Sequence, residues 1–163
     1  MFRFDNAAVR RQDRLLAEEA ACELLRRGEY GVLSMQAEAG GGYGLPLSYV
    51  WDGDARIYVH CAPEGRKLRC LDRCPEVSFC VVGRTEVCPA KFTTAYESVV
   101  LACRAVRGLD PEERMDALRL LLEKYAPEDC ETGMRYAEKS FHRTEIIRLE
   151  ILAGSGKAKV VRK

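Results

Sequence analysis

The 163 residues are 47% hydrophobic and 31% charged, a balance that suits one globular domain with a substantial core and gives no sign of disorder. Twenty-six basic against 25 acidic side chains leave a formal net charge of +1, so there is no electrostatic footprint for nucleic acid or an anionic membrane. No apolar run approaches the roughly 20 residues of a membrane span, and Met1-Phe2-Arg3-Phe4-Asp5 lacks the apolar block of a signal peptide, so a soluble cytoplasmic protein is expected.

The first element is an amphipathic helix over residues 11–27, with Leu16, Ala20 and Leu24 on one stripe and Gly28 as its stop. Residues 30–38 alternate as a strand. The run Gly40-Gly41-Gly42 then turns the chain into a second strand over 45–51, making a hairpin. Pro46 cannot donate a ladder hydrogen bond, which leaves an edge, a bulge or a place where a ligand meets the backbone. Asp52-Gly53-Asp54 is a tight turn into a third strand.

That third strand opens residues 57–68, the stretch around which the chain is organised. Ile57, Val59 and Cys61 fall on one face, suited to a core, and Tyr58 and His60 on the other. Pro63 and Gly65 break the strand into a helix with Arg66 and Lys67 in its first turn. Free amides and the macrodipole at a helix start favour an anion, and two cations placed against the dipole's preference point to a phosphate. The alternative is a surface junction with solvated basic residues.

The helix runs to about Arg73 before Pro75, and residues 77–82 form a buried strand closed by Gly83. A long strand follows over 92–106, with Tyr96 and Ser98 on one parity and Glu97, Val99 and Leu101 on the other; strands of this length bend or serve an interface. Asp110-Pro111-Glu112-Glu113 supplies an N-cap, a first-turn proline and a capping-box glutamate for a helix to Tyr125, with Met115, Leu118, Leu122 and Tyr125 facing inward. A further helix at 131–140, a last strand at 144–152 and a flexible polar tail at 154–157 complete the chain. Six strands joined mainly by hairpins predict a mainly β fold, a small six-stranded antiparallel barrel decorated by α-helices over 1–163 as a single domain. The eight cysteines have no CxxC pairs or HxxxH spacing to close a zinc site, and most alternate with apolar residues as small core side chains would; no metal is expected.

With its elements placed, the sequence resembles the FMN-binding split-barrel proteins related to pyridoxamine phosphate oxidase, in the branch of nitroimidazole-resistance (Nim-type) proteins. The resemblance rests on residues 30–33, 45–49 and 57–62 with Gly65 and Lys67, on 92–99, on Glu123-Lys124-Tyr125, and on Gly156-Lys157. It implies a homodimer holding two FMN molecules between its subunits. Leu47, Ser48 and Tyr49 would run under the isoalloxazine with their amides toward its polar edge. His60, Cys61 and Ala62 would line the ribityl chain and ring, and Gly65, Arg66 and Lys67 would hold the phosphate. Tyr96 and Ser98 would arrive from the other subunit. Cys103, where many relatives carry glycine, and the glycine-rich hairpin at 40–44 depart from the pattern.

The activity so implied is that of a flavin-dependent oxidoreductase reducing a small planar acceptor, a nitroaromatic or a quinone. His60 would be its catalytic proton donor or else a group that only hydrogen-bonds the ligand. The alternative is a non-catalytic dimeric module that carries flavin, or one that binds haem with His60 as axial ligand. His142 is expected to be structural.

Overall fold

The computed structural model describes residues 2–161. Among these, the sheet has eight strands rather than six, in the order β3-β2-β6-β7-β8-β5-β4, with β1 (Arg3–Phe4) added in parallel to β8. The class is as expected, mainly antiparallel sheet with four α-helices. No described helix is long and apolar enough to cross a membrane.

Helix α1 (Glu18–Arg27) begins later than position 11, after a short 3-10 turn at Gln12–Arg14. The reason lies at the far end of the chain. Leu15 bridges to Lys157, and the Leu16 N–H donates to the Gly156 carbonyl at 3.0 Å, which holds these two residues extended. The same contacts overturn the flexible tail. Strand β8 runs over Glu145–Lys159, through Gly154 and Gly156, because those glycines let other groups approach. A Cβ on Gly156 would lie 2.9 Å from that of Leu16, and one on Gly154 would lie 2.7 Å from Leu101.

Strand β2 (Gly31–Gln36) turns at Gly40 and Gly41, both at positive φ, into β3 (Gly42–Leu47), an edge strand that accommodates Pro46. The predicted strand at 45–51 is broken. Ser48 and Tyr49 leave the ladder, and β4 (Val50–Trp51) pairs instead with β5 (Arg56–Cys61) at the other end of the sheet. Two residues therefore cross the split between the sheet's ends, and α2 (Arg66–Arg73) leads from β5 back to β6 (Glu76–Cys88). Gly83 does not close β6. It marks a register shift against β7 (Thr93–Val106), where the Glu97 carboxylate lies over the glycine, accepts the Arg84 N–H at 2.9 Å and pairs with Arg27.

Two apolar clusters result. The larger, inside the curled sheet, contains Leu24, Leu25, Leu33, Ile57, Val59, Phe79, Leu101 and Leu149. Cys103 is buried within it, and burial pushes its thiol up to about 12. The smaller lies on the outside of β5, where α3 (Pro111–Tyr125) covers Val50, Tyr58 and Ile146 with Ala117 and Leu121. The inward stripe of α3 is thus centred on Ala117 and Leu121, since small Ala117 lets the helix sit close to the sheet; of the predicted residues Leu118 packs partly buried beside them, while Tyr125 is 42% exposed. Asp110 caps α3 by accepting the Glu113 N–H at 2.9 Å. Glu113 does not complete a capping box: its carboxylate receives the Tyr58 hydroxyl at 2.9 Å and Arg148 at 2.8 Å, tying α3 to β5 and β8. Helix α4 (Cys130–Ser140) then packs on α3, touching it at Gly133, where a Cβ would meet Leu122 at 2.4 Å.

The crossing at Ser48 and Tyr49 is locked from the end of α3. The Tyr49 ring is fully buried, stacked edge-on against Phe79 at 5.1 Å, with its hydroxyl donating to the Leu25 carbonyl at 2.7 Å. Its N–H donates to the Tyr125 hydroxyl at 2.9 Å, whose single proton faces the carbonyls of Glu29 at 2.6 Å and Tyr49 at 2.8 Å. Lys124 lays its ammonium 3.8 Å from the Tyr49 ring centroid, buried and without a hydrogen-bond partner. The ring face recovers part of the lost hydration, but burial lowers the Lys124 pKa to about 8.

Because the folded chain releases this proton below the unfolded value of about 10.5, stability rises with pH from about 8 toward 10. Lys124→Met should therefore stabilise the protein at pH 7, by about 1 kcal/mol once solvent screening of the partly buried side chain is allowed for. Urea unfolding at pH 7 and pH 10 checks this, and the advantage should shrink at the higher pH.

Candidate functional site

Strand alternation along β5 decides which side chains reach the site. Ile57 and Val59 are buried in the barrel, and Cys61 is half-buried against the same cluster. On the other face Tyr58 is covered by α3, while His60, two residues on, is exposed beyond that cover. Exposed as a residue, the His60 ring still loses part of its hydration to the groups around it; that loss first, and the charge of Lys67 second, hold its pKa below the ordinary value, so the imidazole is mostly neutral at pH 7.

Beyond β5, Ala62 is exposed and the chain turns at Gly65, whose φ of 138° is a glycine conformation. A Cβ there would meet nothing, so backbone geometry rather than space calls for the glycine. Gly65 is the N-cap of α2, and no side chain caps the helix. Its first turn contains no acid; the Leu68 N–H donates to the Gly65 carbonyl at 3.1 Å, and the Arg66 and Lys67 amides ahead of it have no intrahelical acceptor and can bind something else. The Arg66 guanidinium lies 4.2 Å over the Tyr43 ring of β3, and half-buried Lys67 lies near enough to His60 to act on its pKa. These residues fit a phosphate.

Magnitudes set what that phosphate contact can do. An exposed ion pair contributes about 0.2–1 kcal/mol and a helix start about 0.3–1 kcal/mol, so the whole cradle supplies about 3 kcal/mol at most. Micromolar affinity requires about 8 kcal/mol. The balance must come from an apolar, planar part of the ligand meeting a surface nearby.

Such a surface begins at Ser48 and His60, which form the mouth of a longer groove. A groove of about 680 Å³ lies between α3 and α4, and Ser48 and His60 both line it together with Leu118, Leu121, Leu122 and Tyr136. Of Leu47, Ser48 and Tyr49 only Ser48 is exposed; Leu47, the last residue of β3, is half-buried against the core, and the Tyr49 amide, expected to face a ring edge, is already engaged by Tyr125. Tyr96 and Ser98 are elsewhere. On β8, His60 pairs with Ile146 whereas Ser98 pairs with Lys157, eleven residues along, which is roughly 35 Å of strand. One chain does not bring them to His60.

Ser48 and His60 apart, the groove's lining residues, with Tyr43 and Lys124, are not among the site residues that the sequence suggests. Gly133 inside a helical pattern was the available signal for the α3–α4 contact. His142 is exposed on a 3-10 turn and does not line the groove. All eight cysteines are free thiols, and among the described residues no three His, Cys, Asp or Glu side chains gather to hold a metal.

A family profile described as Pyridoxamine 5'-phosphate oxidase matches residues 17–158. No curated protein sequence matches the chain. Among solved structures, the FAD and heme binding protein from Mycobacterium smegmatis superposes with a TM-score of 0.75 at 16% identity, over 92% of this chain and 75% of that one. The flavocytochrome Anf3 from Azotobacter vinelandii gives 0.74 at 19%, over 89% and 68%. A candidate 5-nitroimidazole antibiotic resistance protein from Bacteroides thetaiotaomicron gives 0.72 at 15%, over 89% and 86%. Identities this low speak to the fold, and the profile match over most of the chain speaks to descent: the chain belongs to the pyridoxamine 5'-phosphate oxidase family of flavin-binding split barrels.

Proposed function

We propose that the protein is an FMN-dependent oxidoreductase that reduces a small planar acceptor, a nitroaromatic or a quinone. The observation that carries this reading is the junction of β5 and α2, which offers an uncapped helix start with Gly65, Arg66 and Lys67 beside His60 and an apolar groove. FMN bound there would supply hydride or electron transfer. Arg66 can bind the phosphate bidentately and Lys67 as a point charge. Cys61 and Ala62 would border the ribityl chain, and Leu47, Ser48 and Tyr49 the ring, with Ser48 as the exposed polar contact.

His60 holds a proton at the groove mouth. Neutral imidazole can donate a hydrogen bond, but proton transfer from imidazolium is favoured below the lowered pKa. A phosphate on Lys67 would offset that lysine's charge and move the pKa back up.

An exposed sheet face supports a second copy. Val32, Cys80, Val100 and Ser155 lie in register across four strands, as do Ser34, Ser78, Ala102 and Ala153 beside them, with no charged side chain in either row. Val82 and Val100 are 46% and 44% exposed there. Such a face suits a homodimer and would let Tyr96 and Ser98 serve the partner's flavin. A second reading, a flavin- or haem-binding module without catalysis, is favoured by the exposed His60 imidazole at an apolar groove. A Soret band appearing with added haemin, and abolished in His60→Ala, would single it out.

Three outcomes are expected. Light scattering at micromolar concentration should give the dimer mass, and Val100→Asp should shift it to that of one chain. Lys67→Ala should weaken FMN binding about fivefold, the equivalent of about 1 kcal/mol, with Tm unchanged. At saturating FMN, the wild-type rate of quinone or nitroaromatic reduction should rise as pH falls through the His60 pKa below 6.5, and His60→Ala should lose that rise while keeping FMN.

A further inference from the structure

Building on the flavin reading above, we propose that the groove between α3 and α4 seats the acceptor, and that it takes a neutral two-ring aromatic of the naphthoquinone kind rather than a phosphorylated pyridine. The argument begins with what the groove lacks. No lysine or arginine lines it, and Asp129 is its one charged side chain. A phosphate ester placed there would lie among leucines with no cation to meet it and a carboxylate near it. The cations of this region, Arg66 and Lys67, belong to the helix start beyond β5.

The walls select the rest. At about 680 Å³ the groove is within the range of small-molecule sites and admits one ring or two, and a second apolar ring buries more surface against its leucines than one does. Leu118, Leu121 and Leu122 present apolar side chains from α3, and Tyr136 presents an aromatic one from α4. The helix contact at Gly133 and Leu122 bounds the groove on one side. Ser48 and His60 bound it on another, and these two are also expected to touch the flavin, so an occupant would lie beside the ring. The Ser48 hydroxyl and a His60 N–H can each donate to a carbonyl oxygen, which a quinone offers and a bare hydrocarbon does not. Reduction of the quinone to its hydroquinone consumes two electrons and two protons: a hydride from reduced flavin, and a proton from His60 or water.

The test is equilibrium binding of 2,3-dimethyl-1,4-naphthoquinone, whose blocked ring positions spare the free cysteines, to wild type, Leu122→Trp and Thr132→Trp, each with and without FMN. Thr132 is an exposed lining residue, so its variant reports on the groove even if Leu122→Trp fails to fold. One naphthoquinone per chain is expected, retained when FMN is saturating and weakened at least tenfold in the Trp variants, with FMN affinity unchanged and pyridoxine 5'-phosphate a poor competitor. Binding indifferent to both Trp substitutions, displacement by FMN, or effective competition by pyridoxine 5'-phosphate would overturn the proposal. Because FMN affinity is read separately, loss of flavin binding with the naphthoquinone still bound would count against the flavin reading alone.

Discussion

The structure depends on a two-residue crossing. Between β3, which pairs at one end of the sheet, and β4, which pairs at the other, Ser48 and Tyr49 have no ladder partner, and an unpaired buried amide costs about 1–3 kcal/mol. Tyr125 removes that cost by accepting the Tyr49 N–H, and the buried Tyr49 ring fixes the direction in which the chain crosses. With Tyr49 turned inward, Ser48 is left exposed beside His60. The same hydroxyl that satisfies the backbone brings the end of α3 to the crossing, so the groove walls and the split share one fastening.

Function follows from a division of labour across β5. Its inner face is spent on the barrel through Ile57 and Val59, and its outer face is covered by α3 as far as Tyr58. Only past that cover can an imidazole be exposed, and only past the strand's end can a helix start be left uncapped. The phosphate cradle is too weak to hold a ligand by itself, and the apolar groove by itself would not orient one. A ligand with an anionic end for the cradle and a flat apolar end that meets the groove only at its mouth, by Ser48 and His60, satisfies both and leaves the leucine-lined length free; that is the shape of a flavin nucleotide.

Local features of this arrangement were legible in the sequence. Alternation along 57–61 assigns both faces of β5, Gly65 with Arg66 and Lys67 marks the helix start, and Asp110-Pro111 sets the beginning of α3. Features set by distant contacts were not. The break at Ser48 is invisible in an apolar run, because the group that stabilises it, Tyr125, lies 76 residues from Tyr49. Gly83, Gly154 and Gly156 read as an end and a flexible tail, yet they are places where Glu97, Leu101 and Leu16 come close, so β6 and β8 continue through them. The late start of α1 has the same origin. The centre of the α3 stripe is hidden because Ala117, the residue that permits close packing on β5, is a weaker hydrophobic signal than Met115 beside it.

The central claim is that this chain binds FMN at the junction of β5 and α2, and the most direct measurement is a titration of the purified apoprotein with FMN followed by absorbance and flavin fluorescence. The account predicts saturation at one FMN per chain, a perturbed flavin spectrum, and release by competing inorganic phosphate only at high concentration, since the cradle supplies the smaller part of the binding energy. A colourless protein whose addition leaves the FMN spectrum and fluorescence unchanged at micromolar concentrations would contradict it.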